Sequence, residues 1–225
     1  KRIPGIIAAE DKLDGERIQA HKEGDNIALF SRRLENITHQ YPDVVEAIKK
    51  GIKAKNCILD GEAVPIDQKG NLLPFQLIMQ RRRKNDVAEY VKKVPVKYFL
   101  FDMLSLDGKD IMGELYPERA KKLRSAIKSG VEGIGPVTKV ESKNIKDIEK
   151  FFKESLARGT EGIVCKSTGS DSAYRAGARA WVWIKWKKEY CDELSDSLDL
   201  VVVGSYAGEG KRVDAFGALL CACYN

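Results

Sequence analysis

The sequence predicts an α+β fold made mainly of antiparallel sheets with helices packed outside. Three observations carry that prediction. Strand-like runs outnumber helical ones, neighbouring strands are joined by short polar or glycine-rich turns, and the helical periodicities are few and well separated. The 225 residues suffice for one complete domain and part of a second. With 43% hydrophobic and 32% charged residues, the chain is neither disordered nor collagen-like. No apolar run approaches the ~20 residues needed to cross a bilayer, so no membrane partner is expected. The opening KRIPGIIAAEDKLDG lacks the apolar core of a secretory signal.

Glu16–Lys22 alternates, turns through Glu23-Gly24-Asp25-Asn26 and resumes as Ile27–Ser31, which is a hairpin pattern. Asn56–Ile66 is a second strand, closed by the polar turn Asp67–Asn71. Val96–Leu104 is apolar almost throughout and runs into Ser105-Leu106-Asp107-Gly108, as a buried strand does. Glu161–Ser167 and Trp181–Lys187 complete the strands of the first domain. A short helix is expected over Asp43–Lys50. A longer one covers Pro117–Ser129, where Ala120, Leu123 and Ile127 recur at helical spacing behind a proline suited to a first turn. Asn144–Arg158 opens on a capping asparagine, carries Ile148, Phe151, Phe152 and Leu156, and stops at Gly159.

The polar, acidic stretch Cys191–Ser197 reads as a linker. Beyond it, Leu198–Tyr206 and Ala215–Tyr224 form a hairpin around Gly208-Glu209-Gly210-Lys211-Arg212. The expected organisation is therefore a domain at 1–190, a linker at 191–197 and the start of an all-β domain at 198–225. Two strands alone are marginally stable in water, so the sequence is expected to be part of a longer chain. Cysteines at 57, 165, 191, 221 and 223 form no CxxC pair, and there are two histidines. This pattern argues against structural zinc and for a reducing, intracellular setting. The net charge of +6 permits a polyanionic partner without requiring one.

Lys12-Leu13-Asp14-Gly15-Glu16-Arg17 carries the strongest chemical signal. A lysine just after the apolar Ile6–Ala9 and just before a turn presents its amine at a sheet rim, where loss of a proton makes it a nucleophile. Arg17 is placed to bind an anion or a sugar oxygen; the plainer reading is a hairpin start with solvated charges. Trp181 to Lys187 alternates strictly, so Trp181, Trp183, Lys185 and Lys187 share one face and Val182, Ile184 and Trp186 the other. Lysines two apart on a strand lie about 6.6 Å from one another and can converge on one phosphate. An edge strand with snorkelling lysines is the competing reading. Glu62 and Glu161 sit in strand runs where a carboxylate needs a partner, and such hard oxygens suit Mg²⁺ on a nucleotide phosphate. Each is otherwise a strand-edge acid paired with lysine. Phe101-Asp102 is expected to end the most apolar strand, where Phe101 is either a stacking platform for a base or core.

In their order and spacing these segments resemble the covalent nucleotidyltransferases, and specifically the ATP-dependent DNA ligases of archaeal and eukaryotic replicative type. Glu10 to Arg17 is similar to the first family motif, Phe30-Ser31-Arg32-Arg33 to the next, and Leu59-Asp60-Gly61-Glu62 with Leu100-Phe101-Asp102 to the third and its companion. Glu161 to Lys166 and Trp183 to Lys187 resemble the fourth and fifth, and Leu73-Pro74-Phe75-Gln76 before the basic run Arg81–Lys84 is also ligase-like. The resemblance implies an adenylation domain followed by an OB-fold barrel, with ATP and Mg²⁺ or Mn²⁺ as cofactors. It implies Lys12 as the residue that takes AMP, assisted by Lys185 and Lys187. Glu10, Arg17, Arg32, Glu62 and Phe101 are implied to hold the nucleotide with those two lysines. Glu62 and Glu161 are implied to bind metal, and Lys166, Lys211 and Arg212 to contact DNA. Nicked double-stranded DNA is the implied partner, with a sliding clamp reached through regions outside this sequence, and the expected state is a monomer. The family's sixth motif, a basic stretch later in the OB fold, has no counterpart in these residues. The competing readings are an RNA ligase or mRNA capping guanylyltransferase and, from another class, a non-catalytic nucleic-acid-binding module.

Overall fold

In the computed structural model, residues 3–82, 87–177, 182–188, 200–208 and 213–223 are described. The chain divides into a unit at Lys1–Lys188 and a second at Glu189–Asn225. In the first, one antiparallel sheet joins β1 (Ile7–Lys12), β8 (Lys139–Ser142), β9 (Gly162–Ser167) and β10 (Trp183–Lys187) in the order β10-β9-β1-β8. A six-stranded sheet joins β2 (Glu16–Glu23), β3 (Asn26–Ser31), β4 (Asn56–Pro65), β5 (Val96–Leu106) and β6 (Lys109–Asp110) in the order β3-β2-β4-β5-β6. The short β7 (Ile134–Pro136) adds to it, parallel to β5.

The helices are α1 (Pro42–Gly51), α2 (Val87–Lys93), α3 (Tyr116–Ala126) and α4 (Ile145–Ala157). Pro42 stands in the first turn of α1, with Asp43 beside it and Lys49 and Lys50 in the last turn, each sign matching the helix dipole. The Asn144 side chain caps α4 by accepting from the Lys146 N–H at 3.0 Å. Val44, Ala47 and Ile48 of α1 and Leu123 of α3 cover Ile18, Leu29, Leu59 and Leu100 of the larger sheet. On the smaller sheet Ala9, Ile163 and Cys165 pack under Ile148, Phe151 and Phe152 of α4. Burial pushes the Cys57 and Cys165 thiols up to about 11, as befits small core residues.

The α+β class, the hairpin, the long strands and the three expected helices are all present. Boundaries shift by a few residues. β1 runs on to Lys12, whereas the apolar run alone marked Ile6–Ala9. β5 continues to Leu106, so Phe101 and Asp102 are mid-strand rather than at its end. Asp102 is fully buried and pairs with Arg119 at 2.9 Å. A polar residue inside an apolar strand reads as a rim until its partner is known. β7, β8, α2 and the 3₁₀ segment Phe75–Arg82 carry too little periodicity to be read in the sequence.

The second unit contains the antiparallel pair β11 (Val201–Ala207) and β12 (Phe216–Ala222). The expected linker at 191–197, the turn residues Lys211 and Arg212, and Trp181 lie outside the described residues. Among the described residues no helix is long and apolar enough to cross a membrane.

Candidate nucleotide-binding site

The chain leaves the smaller sheet at Lys12 and enters the larger one at Glu16, and a cleft of about 750 Å³ opens where it crosses. Gly15 makes the crossing possible, because a Cβ there would lie 2.3 Å from the Ala63 carbonyl oxygen. The walls draw on both sheets: Glu10 and Lys12 from β1, Arg17 from β2, Glu62 from β4, Phe101 from β5, Lys166 from β9, and Trp183 and Lys185 from β10. Arg32 lines the cleft from the loop after β3. That loop is shaped by the Ser31 hydroxyl, which accepts from the backbone N–H groups of Arg33 and Glu35 at 3.2 and 3.3 Å.

At the open end the Lys12 ammonium donates to the Glu161 carboxylate, and Lys187 Nζ lies 3.4 Å from the same oxygen. Gly162, with φ +139°, lets β10 approach; a Cβ there would sit 2.1 Å from the Trp186 carbonyl oxygen. That close approach brings Lys185 and Lys187 beside Lys12. Burial pushes the Glu161 carboxyl up, but the hydrogen bond and charge of Lys12, joined by Lys187, outweigh it and hold the group below its ordinary value. Burial, then the adjacent Glu161 carboxylate, pushes Asp14 up. Lys185 is held below the ordinary lysine value by burial and by the charges of Lys12, Arg32 and Lys187. This is a concentration of cations suited to a polyphosphate.

On the larger sheet's side of the cleft, the Arg17 guanidinium donates to both Asp60 oxygens at 3.0 and 2.5 Å and to the Tyr174 hydroxyl at 3.0 Å. It also lies 5.6 Å from the centre of the Phe101 ring. Glu62 stands opposite Arg17 across β2 and β4. Burial pushes its carboxyl up to about 8 despite Lys12 and Arg17 nearby. Phe101 and Trp183 meet edge to face at 6.3 Å and wall the closed end. On β10, Ile184 and Trp186 turn the other way, and Trp186 stacks on Phe152 at 4.5 Å. The alternation read along Trp183–Lys187 is the alternation of the strand.

Glu10, Lys12, Arg17, Arg32, Glu62, Phe101 and Lys185 therefore meet in one cleft, with Glu161 and Lys187 joined to it through Lys12. Lys166 departs from its expected role. Its side chain is 1% exposed and its Nζ lies 2.6 Å from Glu10, so here it faces the floor of the cleft rather than a DNA backbone. Lys211 and Arg212 lie outside the described residues. Asp60, Tyr116 and Tyr174 carry no role in the sequence reading. Buried tyrosine hydroxyls need partners, but Tyr116 and Glu10 stand 106 positions apart.

Two mainly antiparallel sheets with a lysine-rimmed cationic cleft between them form a nucleotidyltransferase fold. Solved structures share the fold: "mycobacterial DNA ligase D complexed with ATP and MES" matches with a TM-score of 0.61 at 25% identity, over 97% of this chain and 62% of that one. The ligase domain of M. tuberculosis LigD matches with a TM-score of 0.61 at 27% identity, over 82% and 56%. The chain belongs to the ATP-dependent DNA ligase family, whose description "ATP dependent DNA ligase domain" matches residues 1–187. The "DNA ligase 1" of Methanosarcina acetivorans is 49% identical over 235 residues, which cover 100% of this chain and 40% of that protein. The "DNA ligase 2" of Thermofilum pendens is 46% identical over 226 residues, 100% of this chain and 37% of that one. The chain thus spans about two fifths of the length of these relatives.

Proposed function

We propose that this chain is the adenylation unit of an ATP-dependent DNA ligase, with Lys12 as its nucleophile. The observation that carries the reading is the Lys12 amine at the cleft rim, beside Glu161 and among Arg32, Lys185 and Lys187. Once deprotonated, Lys12 Nζ attacks the α-phosphorus of ATP; a P–N bond forms, the P–O bond to the β-phosphate breaks, and pyrophosphate leaves. The AMP then passes to the 5′-phosphate at a nick, and the 3′-hydroxyl displaces it to seal the strand. Phe101 stacks on the base, Glu10 accepts from its amino group, and Arg17 with Glu62 faces the ribose. Lys185, Lys187 and Arg32 neutralise the phosphates, so most of the rate comes from positioning and charge stabilisation.

The carboxylates near Lys12 fit a divalent ion. Glu161 is held in its ionised form with Asp14 beside it, whereas Glu62, raised to about 8 by burial, would have to give up its proton to serve as a ligand. Magnesium is commonly bound through one or two carboxylates plus substrate phosphates rather than an all-protein cage. Among the described residues no preformed cluster of three acidic, histidine or cysteine ligands exists. When bound, Mg²⁺ or Mn²⁺ supplies further charge neutralisation on the phosphates.

Nicked double-stranded DNA is the partner this reading requires, and a sliding clamp acting through other regions is compatible with it. We read β11–β12 as the opening of an OB-fold barrel. Val202, Val203, Phe216 and Leu219 are each more than half exposed, as on strands that await a covering layer. Incubation with each α-labelled nucleotide and Mg²⁺ tests the assignment. An acid-labile, base-stable label from ATP, mapped by mass spectrometry to Lys12, is expected. A label from GTP instead indicates a capping-type enzyme, and an AMP mapped to Lys185 or Lys187 overturns the nucleophile.

A further inference from the structure

Three side chains from distant segments meet at the closed end of the cleft. Glu10 lies on β1, Tyr116 opens α3 and Lys166 lies on β9. The Glu10 carboxylate accepts from the Tyr116 hydroxyl at Oε1, and its Oε2 lies 2.6 Å from Lys166 Nζ. Lys166 also donates to the Phe101 carbonyl at 3.1 Å, and its ammonium sits 4.3 Å from the centre of the Trp183 ring. All three side chains are almost excluded from solvent. Tyr116 is itself clamped, because its backbone N–H donates to Ser172 Oγ at 3.1 Å.

A buried ion pair is a weak source of stability, since desolvation offsets most of the attraction. Its place in the fold suggests another use. Glu10 and Lys166 line the same cleft as Phe101 and Trp183, which wall the space where a flat base would lie. Burial and the charge of Glu10 push the Tyr116 hydroxyl far above the ordinary tyrosine range, so it remains a donor.

We propose that Tyr116 is a positioning residue for base selection. Together with Lys166 it fixes the Glu10 carboxylate as an oriented acceptor, which admits a purine bearing an amino group and turns away one bearing a carbonyl. The proposal rests on the nucleotide reading above. An ionised carboxylate only accepts hydrogen bonds. An amino group placed against it gains a charge-assisted bond, whereas a carbonyl oxygen there is repelled and left unpaired. Without the phenol, Oε1 loses its partner, and the carboxyl is free to turn away from the orientation that meets an amino group.

Tyr116→Phe keeps the ring and removes the hydroxyl. Affinities for ATP and GTP are measured by calorimetric titration of wild type, Tyr116→Phe, Glu10→Gln and the double variant. Labelling with both nucleotides and a melting curve are recorded for each. For Tyr116→Phe the ATP-over-GTP preference is expected to fall by about tenfold, the equivalent of ~1.4 kcal/mol. The loss in apparent ATP affinity should exceed any loss in maximal labelling rate. In the double variant, no loss beyond that of Glu10→Gln is expected, because Tyr116 acts through Glu10. Ser172→Ala, which loosens the start of α3 from outside the cleft, should shift the preference the same way by less. An unchanged preference in Tyr116→Phe accompanied by a lower melting temperature would overturn the proposal, as would strictly additive losses. A wild type that labels with neither nucleotide overturns the adenylation reading and the proposal with it.

Discussion

At the closed end of the cleft each buried charge has a dedicated partner: Glu10 with Lys166 and Tyr116 on the floor, Asp102 with Arg119 beneath it. At the open end Lys12 and Lys187 pair with Glu161, and burial together with the charges of Lys12, Arg32 and Lys187 holds Lys185 below its ordinary value. The first arrangement is satisfied without ligand and has its orientation fixed; the second is crowded with like charge that an anion relieves. Recognition of a neutral ring calls for the former, because a partly satisfied polar group would pair with water as readily as with a base. Binding and reacting a polyphosphate calls for the latter, because the stabilisation grows where negative charge arrives.

The comparison breaks most completely at Lys12. Lys12→Ala and Lys12→Arg should both abolish the covalent adduct, since arginine remains protonated and offers no usable lone pair. Intact-mass measurement after incubation with ATP checks this, and an adduct surviving in either variant removes Lys12 as nucleophile. Next comes Lys185→Ala at the same end. Loss of one preorganised charge partner should slow self-adenylation by roughly 10²- to 10³-fold with little change in melting temperature. Rapid-quench labelling measures it, and an effect on affinity alone would mean that Lys185 only attracts the nucleotide.

At the closed end the expected effect is smaller. Phe101→Ala should weaken nucleotide binding by roughly 1–3 kcal/mol, the scale of one base–aromatic stack. Calorimetry with a non-hydrolysable ATP analogue, beside a melting curve, distinguishes this from a core role, in which stability falls and affinity is kept. The smallest effect belongs to Glu62, at the border of the two ends. Its carboxyl is raised to about 8 from an ordinary 4.5, so the folded protein holds this proton more tightly than the unfolded chain. The stability it contributes is complete below about pH 4.5 and is lost as pH rises through about 8. Wild type should therefore lose melting temperature relative to Glu62→Gln as pH is raised across that window. Parallel pH profiles would show that Lys12 and Arg17 keep Glu62 ionised instead.

Much of the open end was legible in the sequence because its chemistry is local. Lys12, Asp14 and Arg17 lie within one turn, Lys185 and Lys187 two positions apart on a strand, and strand alternation fixes which side chains share a face. The same local rules gave the hairpin at Glu23–Asn26, the capped helix after Asn144 and the α+β class. They stopped short at β7, β8 and α2, which are too brief for a period to emerge.

The closed end required the tertiary structure. Lys166 is a basic residue in a strand, and nothing within a few positions distinguishes one that meets DNA from one buried against Glu10. Tyr116 is an aromatic at a helix start, and Asp102 an acid in an apolar strand whose partner Arg119 lies 17 positions on, across a strand-to-helix connection. Sequence alone determined which residue types stand at which spacing, hence the elements, the lysine at the cleft rim and the cationic strand beside it. Only the packing of two sheets decided which distant charges are dehydrated together. The cost of burying a charge depends on what surrounds it in space, and that is set by the whole fold rather than by its neighbours along the chain.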